Sequence, residues 1–588
     1  MCRQRRVRTD RRPPRPRRPQ RATSRESPSA GSPGTATGNA PHSHHSTEPA
    51  SAARYRPDPA PGLRARLRSG PTTSPRARSA FRAARQETHL VNDTIDHWLD
   101  GKAWPGNGPR RSSVYDPATG AVTAEVRLAD SADVDAAVAS SRAAFDEWRS
   151  SSLSKRTSVM FELRRILSER RDEFARVISS QHGKVRSDAA GEVQRGLEVV
   201  EFACGIPQLL KGGYTEQAST EVDVYSIRQP VGVTVGITPF NFPAMVPLWM
   251  CPVAIACGNS FILKPSERDP GAALLLAQAW ADAGLPDGVF NVLHGDAEAV
   301  NGLLTHPGVD AVSFVGSTPI AQHVYATGTA AGKRVQALGG AKNHMIVLPD
   351  ADLEAAADAA VSAGFGSAGE RCMAISVVVA VDPVGDDLVD AIAERTRAIR
   401  VGPGDDPVSE MGPVVTGAHR DRVRGYVDAG EADGVRVVVD GREVQVDGHP
   451  DGFWIGPTLL DGVQVGQSVY TDEIFGPVLC VVRAASYDEA VGLVRDNAYG
   501  NGVAIFTRDG GAARRFTFDV EAGMVGVNVP IPVPMAYYSF GGWGDSLFGD
   551  THVHGPEGVH FYTRGKVVTE RWADPSTRGP DLGFPTHN

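Results

Sequence analysis

The chain has 588 residues, of which 41% are hydrophobic and 22% charged; at roughly 150 residues per domain this allows two to four domains and excludes collagen-like, coiled-coil and wholly disordered organisation. Six cysteines, widely spaced and without a CxxC pair, exclude a disulfide-built scaffold and argue against a structural zinc site, so no metal and a reducing, cytoplasmic setting are expected. The net charge of −8 hides a split: residues 1–87 carry twenty Arg, no Lys and five acidic residues, a surplus of fifteen positive charges, while the other 501 residues stand at −23.

The opening MCRQRRVRTDRRPPRPRRPQ and the Ser/Gly/Pro/Thr stretches after it hold few aliphatic residues to offset chain entropy, so residues 1–87 are expected to be a disordered tail. A basic tail can hold nucleic acid through counterion release. The same composition suits a dispensable tail, or translated sequence ahead of the true start, and that plainer reading with no nucleic-acid partner is preferred. Prolines at 13, 14, 16 and 19 break the amphipathic helix that a mitochondrial leader needs, and no secretory apolar region is present.

From residue 88 the pattern is α/β. HLVNDTIDHWLDGKAWPG reads as short strands, and Asp130, Ser131 and Asp133 are candidate caps for a helix over DVDAAVASSRAAFDEWRS. Two longer helical segments follow, SKRTSVMFELRRILSERRDEFARVISSQHG and SDAAGEVQRGLEVVEFACGIPQLL, and Val222–Pro243 is extended. FNFPAMVPLWMCPVAIAC (Phe240–Cys257) is almost long enough to span a membrane, but Pro243, Pro247, Pro252 and Asn241 interrupt it; a turn and a buried helix are predicted, with no membrane partner. SFILK, VFNVLHG and AVSFVG then alternate with helical segments, the rhythm of βαβ units and a parallel sheet. A second alternation from Lys342 to Thr507 predicts a second α/β lobe.

Chemistry enters with GSAGERCMA, where Cys372 follows a small-residue loop and neighbours Arg371, a setting in which a cation can favour the thiolate. TPFNFP (Thr238–Pro243), LKPSER (Leu263–Arg268), FVGST (Phe314–Thr318) and EIFGP (Glu473–Pro477) occur in one order around it. Together these resemble the aldehyde dehydrogenase superfamily, and RGLEVVEFAC, ITPFNFPAMVPLWM, GAKNH and VGVNVPIPVP resemble its CoA-acylating methylmalonate-semialdehyde branch over roughly residues 90–572. No GxGxxG follows a strand, so the ordinary dinucleotide fingerprint is missing.

The resemblance implies an aldehyde dehydrogenase fold: an NAD-binding Rossmann-like domain (88–214 and 232–338), an α/β catalytic domain (339–541) and a small β oligomerisation element (215–231 and 542–575, including a strand near Val559–Thr563), with a tail at 576–588. It implies Cys372 as nucleophile, with the Asn241 amide and the Cys372 N–H as oxyanion donors. Thr238, Phe240, Lys264, Glu267, Arg268, Gly316, Ser317, Gly339, Glu473 and Phe475 would hold NAD, Glu267 disfavouring NADP, and Arg195 and Arg371 would hold a substrate carboxylate. For Arg195 a helical ion pair with Glu192 or Glu198 is the plainer alternative.

Hydrolytic members carry a Glu in an ELGG segment that activates water. Here the segment is QALGGAKNH, which puts Ala337 at that place by motif and Leu338 by counting back from Cys372. Neither is a base, which favours a thiol acceptor, coenzyme A, over water. Phe540–Asp550 (FGGWGDSLFGD) also departs from the branch, which carries Thr, Gly, Ser and Arg in parts of this region. The expected reaction is oxidative, CoA-acylating decarboxylation of malonate or methylmalonate semialdehyde to acetyl-CoA or propionyl-CoA, in valine or inositol breakdown, by a homodimer or homotetramer. An NAD(P)-dependent enzyme releasing a free acid is the alternative.

Overall fold

The computed structural model describes residues 93–572 and Ser576; the expectations for residues 1–87 and for the C-terminal tail beyond Ser576 lie outside them. Local chemistry explains the first elements. Asp130 caps Ser131–Trp148 and Asp133 returns the bond, a reciprocal pair that satisfies two orphan N–H groups. Ser152 caps Leu153–Glu169. The long helix expected after it is two helices, Leu153–Glu169 and Arg171–His182, because the chain leaves helical geometry at Arg170.

Two sheets organise the rest. In the first, eight strands run in the order Leu547–Phe548, Arg334–Leu338, Ala311–Val315, Val233–Ile237, Ser260–Lys264, Phe290–Val292, His97–Leu99 and Lys102–Trp104. The five strands from Arg334–Leu338 to Phe290–Val292 are parallel. They are almost wholly buried on both faces, as a sheet covered by helices on each side must be. Strand order reverses between Val233–Ile237 and Ala311–Val315, so their connections diverge and leave a crevice at the carboxyl ends.

The second sheet has seven strands: Arg436–Val439, Thr458–Asp461, Val478–Ala484, Ile375–Val381, Asn343–Val347, Gly502–Phe506 and Met524–Val527. The helix Met245–Ala256 fits the predicted Pro-punctuated buried segment: Pro252 lies inside it and all twelve of its residues are buried. Among the described residues no helix is long and apolar enough to cross a membrane.

A third sheet joins Tyr214–Ser219, Val222–Pro230 and Thr563–Arg571, the last two in a nine-residue antiparallel ladder from Thr563–Pro230 to Arg571–Val222. This corrects the strand expected near Val559–Thr563. Gly555–Phe561 is a short helix with Pro in its first turn, and Val559 and Phe561 are buried in the core shared with Met245–Ala256. The strand begins only at Thr563, where the side chains become mostly exposed.

Candidate active site

The crevice of the first sheet opens onto the amino ends of strands in the second. Val233–Ile237 delivers Thr238, Phe240 and Asn241; Ser260–Lys264 delivers Lys264, Glu267 and Arg268; Ala311–Val315 delivers Gly316 and Ser317. From the facing side come Cys372, just before Ile375–Val381, and Glu473 and Phe475, just before Val478–Ala484. All twelve catalytic and cofactor residues expected from sequence, Gly339 included, line one cleft of about 1100 Å³.

Cys372 rests on an unusual turn. Ser367, Ala368 and Gly369 have φ of 54°, 51° and 71°; for the two non-glycine residues the left-handed region costs roughly 1–2 kcal/mol each. A side chain at Gly369 would lie 2.2 Å from the Gly476 carbonyl, so glycine lets the turn pass beneath the segment carrying Phe475. The Cys372 carbonyl accepts from Asn343 Nδ2 and from Asn501 Nδ2, each at 3.0 Å. Asn343 Nδ2 also donates to Ala374 O, and its Oδ1 accepts from Gly502 N. These two amides fix the backbone from Cys372 to Ala374, directly after the carbon that bears the sulfur. GAKNH contains Asn343, but nothing in the sequence says that its side chain reaches the cysteine.

Arg371 favours the Cys372 thiolate as expected, but it is outweighed. Burial pushes the thiol up to about 12 and the Glu473 carboxylate adds to the shift; two backbone N–H groups and Arg371 oppose it too weakly. The Arg371 guanidinium holds Asp188 at 2.5 Å. Burial acts to raise the Asp188 carboxyl, but Arg371 and Lys184 outweigh it and hold the group below its ordinary range. Arg195 pairs with Glu198 at 2.7 Å and donates to the Pro534 carbonyl, so the helical ion pair is present. Neither arginine is among the residues lining the 1100 Å³ cleft; Arg371 borders a much smaller cavity together with Cys372 and Glu473.

At the other end of the cleft Lys264 Nζ donates to Gly295 O at 3.0 Å and lies 3.8 Å from Glu267 Oε2. Arg268 lies over the Phe240 ring at 5.0 Å, and Phe240 meets Phe475 edge to face at 5.9 Å. The helix Thr318–Ala330 points its first turn into the cleft, with Gly316 to Ile320 all lining it. Glu473 Oε1 accepts from Ala341 N at 2.9 Å, and burial pushes its carboxyl up to about 7. Gly340 admits this carboxylate, because a side chain there would sit 2.3 Å from Glu473 Oε2. Ala337 and Leu338 are both buried on the strand Arg334–Leu338. Alternation sends Ala337 into the core with Phe314 and Leu338 into the core that holds Met373.

Comparison with known proteins follows the same outline. The pattern of the aldehyde dehydrogenase family matches residues 104–568. The malonate-semialdehyde dehydrogenase of Pseudomonas aeruginosa is 53% identical over 495 residues, covering 84% of this chain and 99% of the relative. Malonate-semialdehyde dehydrogenase 1 of Geobacillus thermodenitrificans is 46% identical over 480 residues, 82% of this chain and 99% of that protein. Among solved structures, the methylmalonate-semialdehyde dehydrogenase of Oceanimonas doudoroffii has a TM-score of 0.81 at 51% identity, covering 83% of this chain and all (100%) of the other. A Sinorhizobium meliloti protein assigned the same activity and solved with NAD gives 0.81 and 51%, over 82% of this chain and 98% of that one.

Proposed function

The chain belongs to the aldehyde dehydrogenase family, and from that premise we propose that it is an NAD-dependent, CoA-acylating dehydrogenase of malonate or methylmalonate semialdehyde. The observation that carries this reading is the convergence of Cys372, Asn241 and ten further residues, drawn from 238 to 475, on one cleft. The names of the similar proteins support the substrate class. The wider organisation proposed with it is an NAD-binding lobe around the first sheet, a catalytic lobe around the second, and a homo-oligomer formed in the cytoplasm through the third.

The cleft suits NAD. Thr238 Oγ1 is buried there without a hydrogen-bond partner among the described residues. Lys264 and Glu267 offer a donor and an acceptor for ribose hydroxyls, and the first turn of Thr318–Ala330 offers N–H groups for a pyrophosphate. When bound, NAD⁺ supplies the hydride acceptor. Cys372 adds through sulfur to the aldehyde carbon, and the oxygen that gains charge faces the Asn241 amide and the Cys372 N–H. Such donors act on charge that develops only in the transition state. Burial disfavours the free thiolate and the Glu473 carboxylate opposes it further, so the thiol gives up its proton to water as sulfur adds to the carbon.

Loss of hydride leaves a thioacyl group on Cys372. The β-carboxylate leaves as CO₂, its bonding electrons passing into the thioester carbonyl before a proton is taken up at carbon. Displacement of Cys372 by the CoA thiol, before or after that loss, gives acetyl-CoA or propionyl-CoA. The apolar burial of Ala337 and Leu338 supports CoA as acceptor, since neither position offers a base to activate water.

The test is NADH formation from each semialdehyde with and without CoA, with identification of the acyl product. Turnover dependent on CoA and yielding the acyl-CoA supports the reading. Equal turnover without CoA, releasing a free acid, would establish the hydrolytic alternative and point to Glu473 as the base that activates water.

A further inference from the structure

Behind the cleft, and outside the residues that line it, two side chains of opposite charge are buried against the backbone of Asn241. Lys184 and Glu192 are both 0% exposed at the side chain and lie 3.0 Å apart. Lys184 Nζ also donates to the Asn241 carbonyl at 2.5 Å and sits 4.4 Å from the centre of the Phe242 ring. The second oxygen of Glu192 accepts from Ala244 N at 2.7 Å and from Met245 N at 3.1 Å. The pair therefore holds the turn at Asn241, Phe242, Ala244 and Met245, with acceptors and donors satisfied at both ends.

The holder is itself anchored. The Lys184 carbonyl accepts from Ser179 Oγ at 2.7 Å, and two residues later Arg186 N donates to Gly404 O at 2.9 Å. A buried ion pair is a costly way to stabilise a fold, and apolar residues of similar volume often serve as well or better. Its value here is geometric: it orients a peptide whose carbonyl would otherwise be buried without a partner.

We propose that Lys184 and Glu192 are positioning residues for the transition state, holding the Asn241 amide at the oxygen of the Cys372 adduct. This rests on the oxyanion role given to Asn241 above. The Lys184 contact fixes the plane of the Asn241–Phe242 peptide, while Glu192 fixes the first N–H groups of the helix Met245–Ala256. The Asn241 side chain leaves the backbone at the Cα directly before the first of these restraints. Neither residue touches the reacting atoms.

The experiment is a double-variant cycle on the full chain, with kcat for semialdehyde oxidation, NAD affinity by fluorescence quenching and the thermal midpoint read for each protein. Lys184→Met should lower kcat about 10- to 100-fold, the scale of an ångström-level misplacement. NAD affinity should stay within about twofold of the parent value, an outcome that general loss of structure would not give. In an Asn241→Ala background Lys184→Met should change kcat by less than about twofold, because the group it positions is gone. Glu192→Gln supplies the same cycle from the other partner if Lys184→Met does not fold. Unchanged kcat in Lys184→Met, or losses that multiply in the double variant, overturn the proposal. Parent-level kcat in Asn241→Ala alone overturns the oxyanion reading itself, and the positioning role with it.

Discussion

At the scale of single residues the site depends on groups whose ordinary chemistry the fold has altered. Cys372→Ser should abolish NADH formation while leaving NAD binding in place, measured by fluorescence quenching. Asn241→Ala should lower kcat about 10²- to 10³-fold, the loss typical of one oxyanion donor. The Cys372 thiol and the Glu473 carboxyl oppose each other electrostatically, since each is harder to ionise when the other is charged. With its proton affinity raised to about 7, Glu473 is neutral below that pH and charged above it. Its contribution to stability is present in acid and is lost as pH rises through 7, the sign expected of a buried carboxyl raised above its unfolded value. Glu473→Gln removes the charge that opposes the thiolate. Alkylation of Cys372 by iodoacetamide at pH 8 should then be faster than in the parent, and its pH profile should move to lower pH. A slower rate would show that Glu473 acts on the thiol mainly as a base.

At the scale of elements, Asn259 shows how the strands that carry the site are joined to their surroundings. Its Oδ1 accepts from Val231 N and Gly232 N, at 2.8 and 3.0 Å, at the start of the strand that delivers Asn241. Its Nδ2 donates to Ala254 O and Tyr562 O, both at 2.9 Å, tying in the helix Met245–Ala256 and the end of Gly555–Phe561. Asn259→Leu would leave two N–H groups and two carbonyls without this partner. A loss of about 3 kcal/mol is expected, read as a lower denaturation midpoint. The same junction explains why Gly555–Phe561 is a helix: Val559 and Phe561 gain burial in the core beside Met245–Ala256, which an exposed strand could not give them.

At the scale of the whole molecule, the charge split separates residues 1–87 from the enzyme proposed here. Deleting residues 1–87 should leave dehydrogenase kcat within about twofold of the full chain; loss of turnover would give the basic tail a part in the reaction. The third sheet makes an opposite prediction. Val222–Pro230 is its central strand, flanked by Tyr214–Ser219 and Thr563–Arg571. Removing Arg564–Trp572 would expose a new edge in a sheet proposed to join subunits. Light scattering after size-exclusion chromatography should then show loss of the oligomer, and an unchanged mass would place the subunit contact elsewhere.

Composition and apolar periodicity made the α/β class, the alternation of strands and helices and the buried nature of Phe240–Cys257 legible, and motifs resembling those of the family named the residues that meet in the cleft. These were legible because apolar periodicity and short motifs are local, and a motif at the carboxyl end of a parallel strand falls at the crevice once strand order reverses. Only the tertiary structure decided where the charges went. Arg371 beside Cys372 in sequence turns to Asp188, 183 positions away, and the cysteine's backbone is held by Asn501, 129 positions away. Lys184 reaches the Asn241 carbonyl across 57 positions. Whether Val559–Thr563 formed a strand was likewise settled by a core assembled from distant helices. Partners of a buried polar group are chosen by which surfaces the fold closes upon it, and burial without a partner is too costly for that choice to be left to neighbours in sequence.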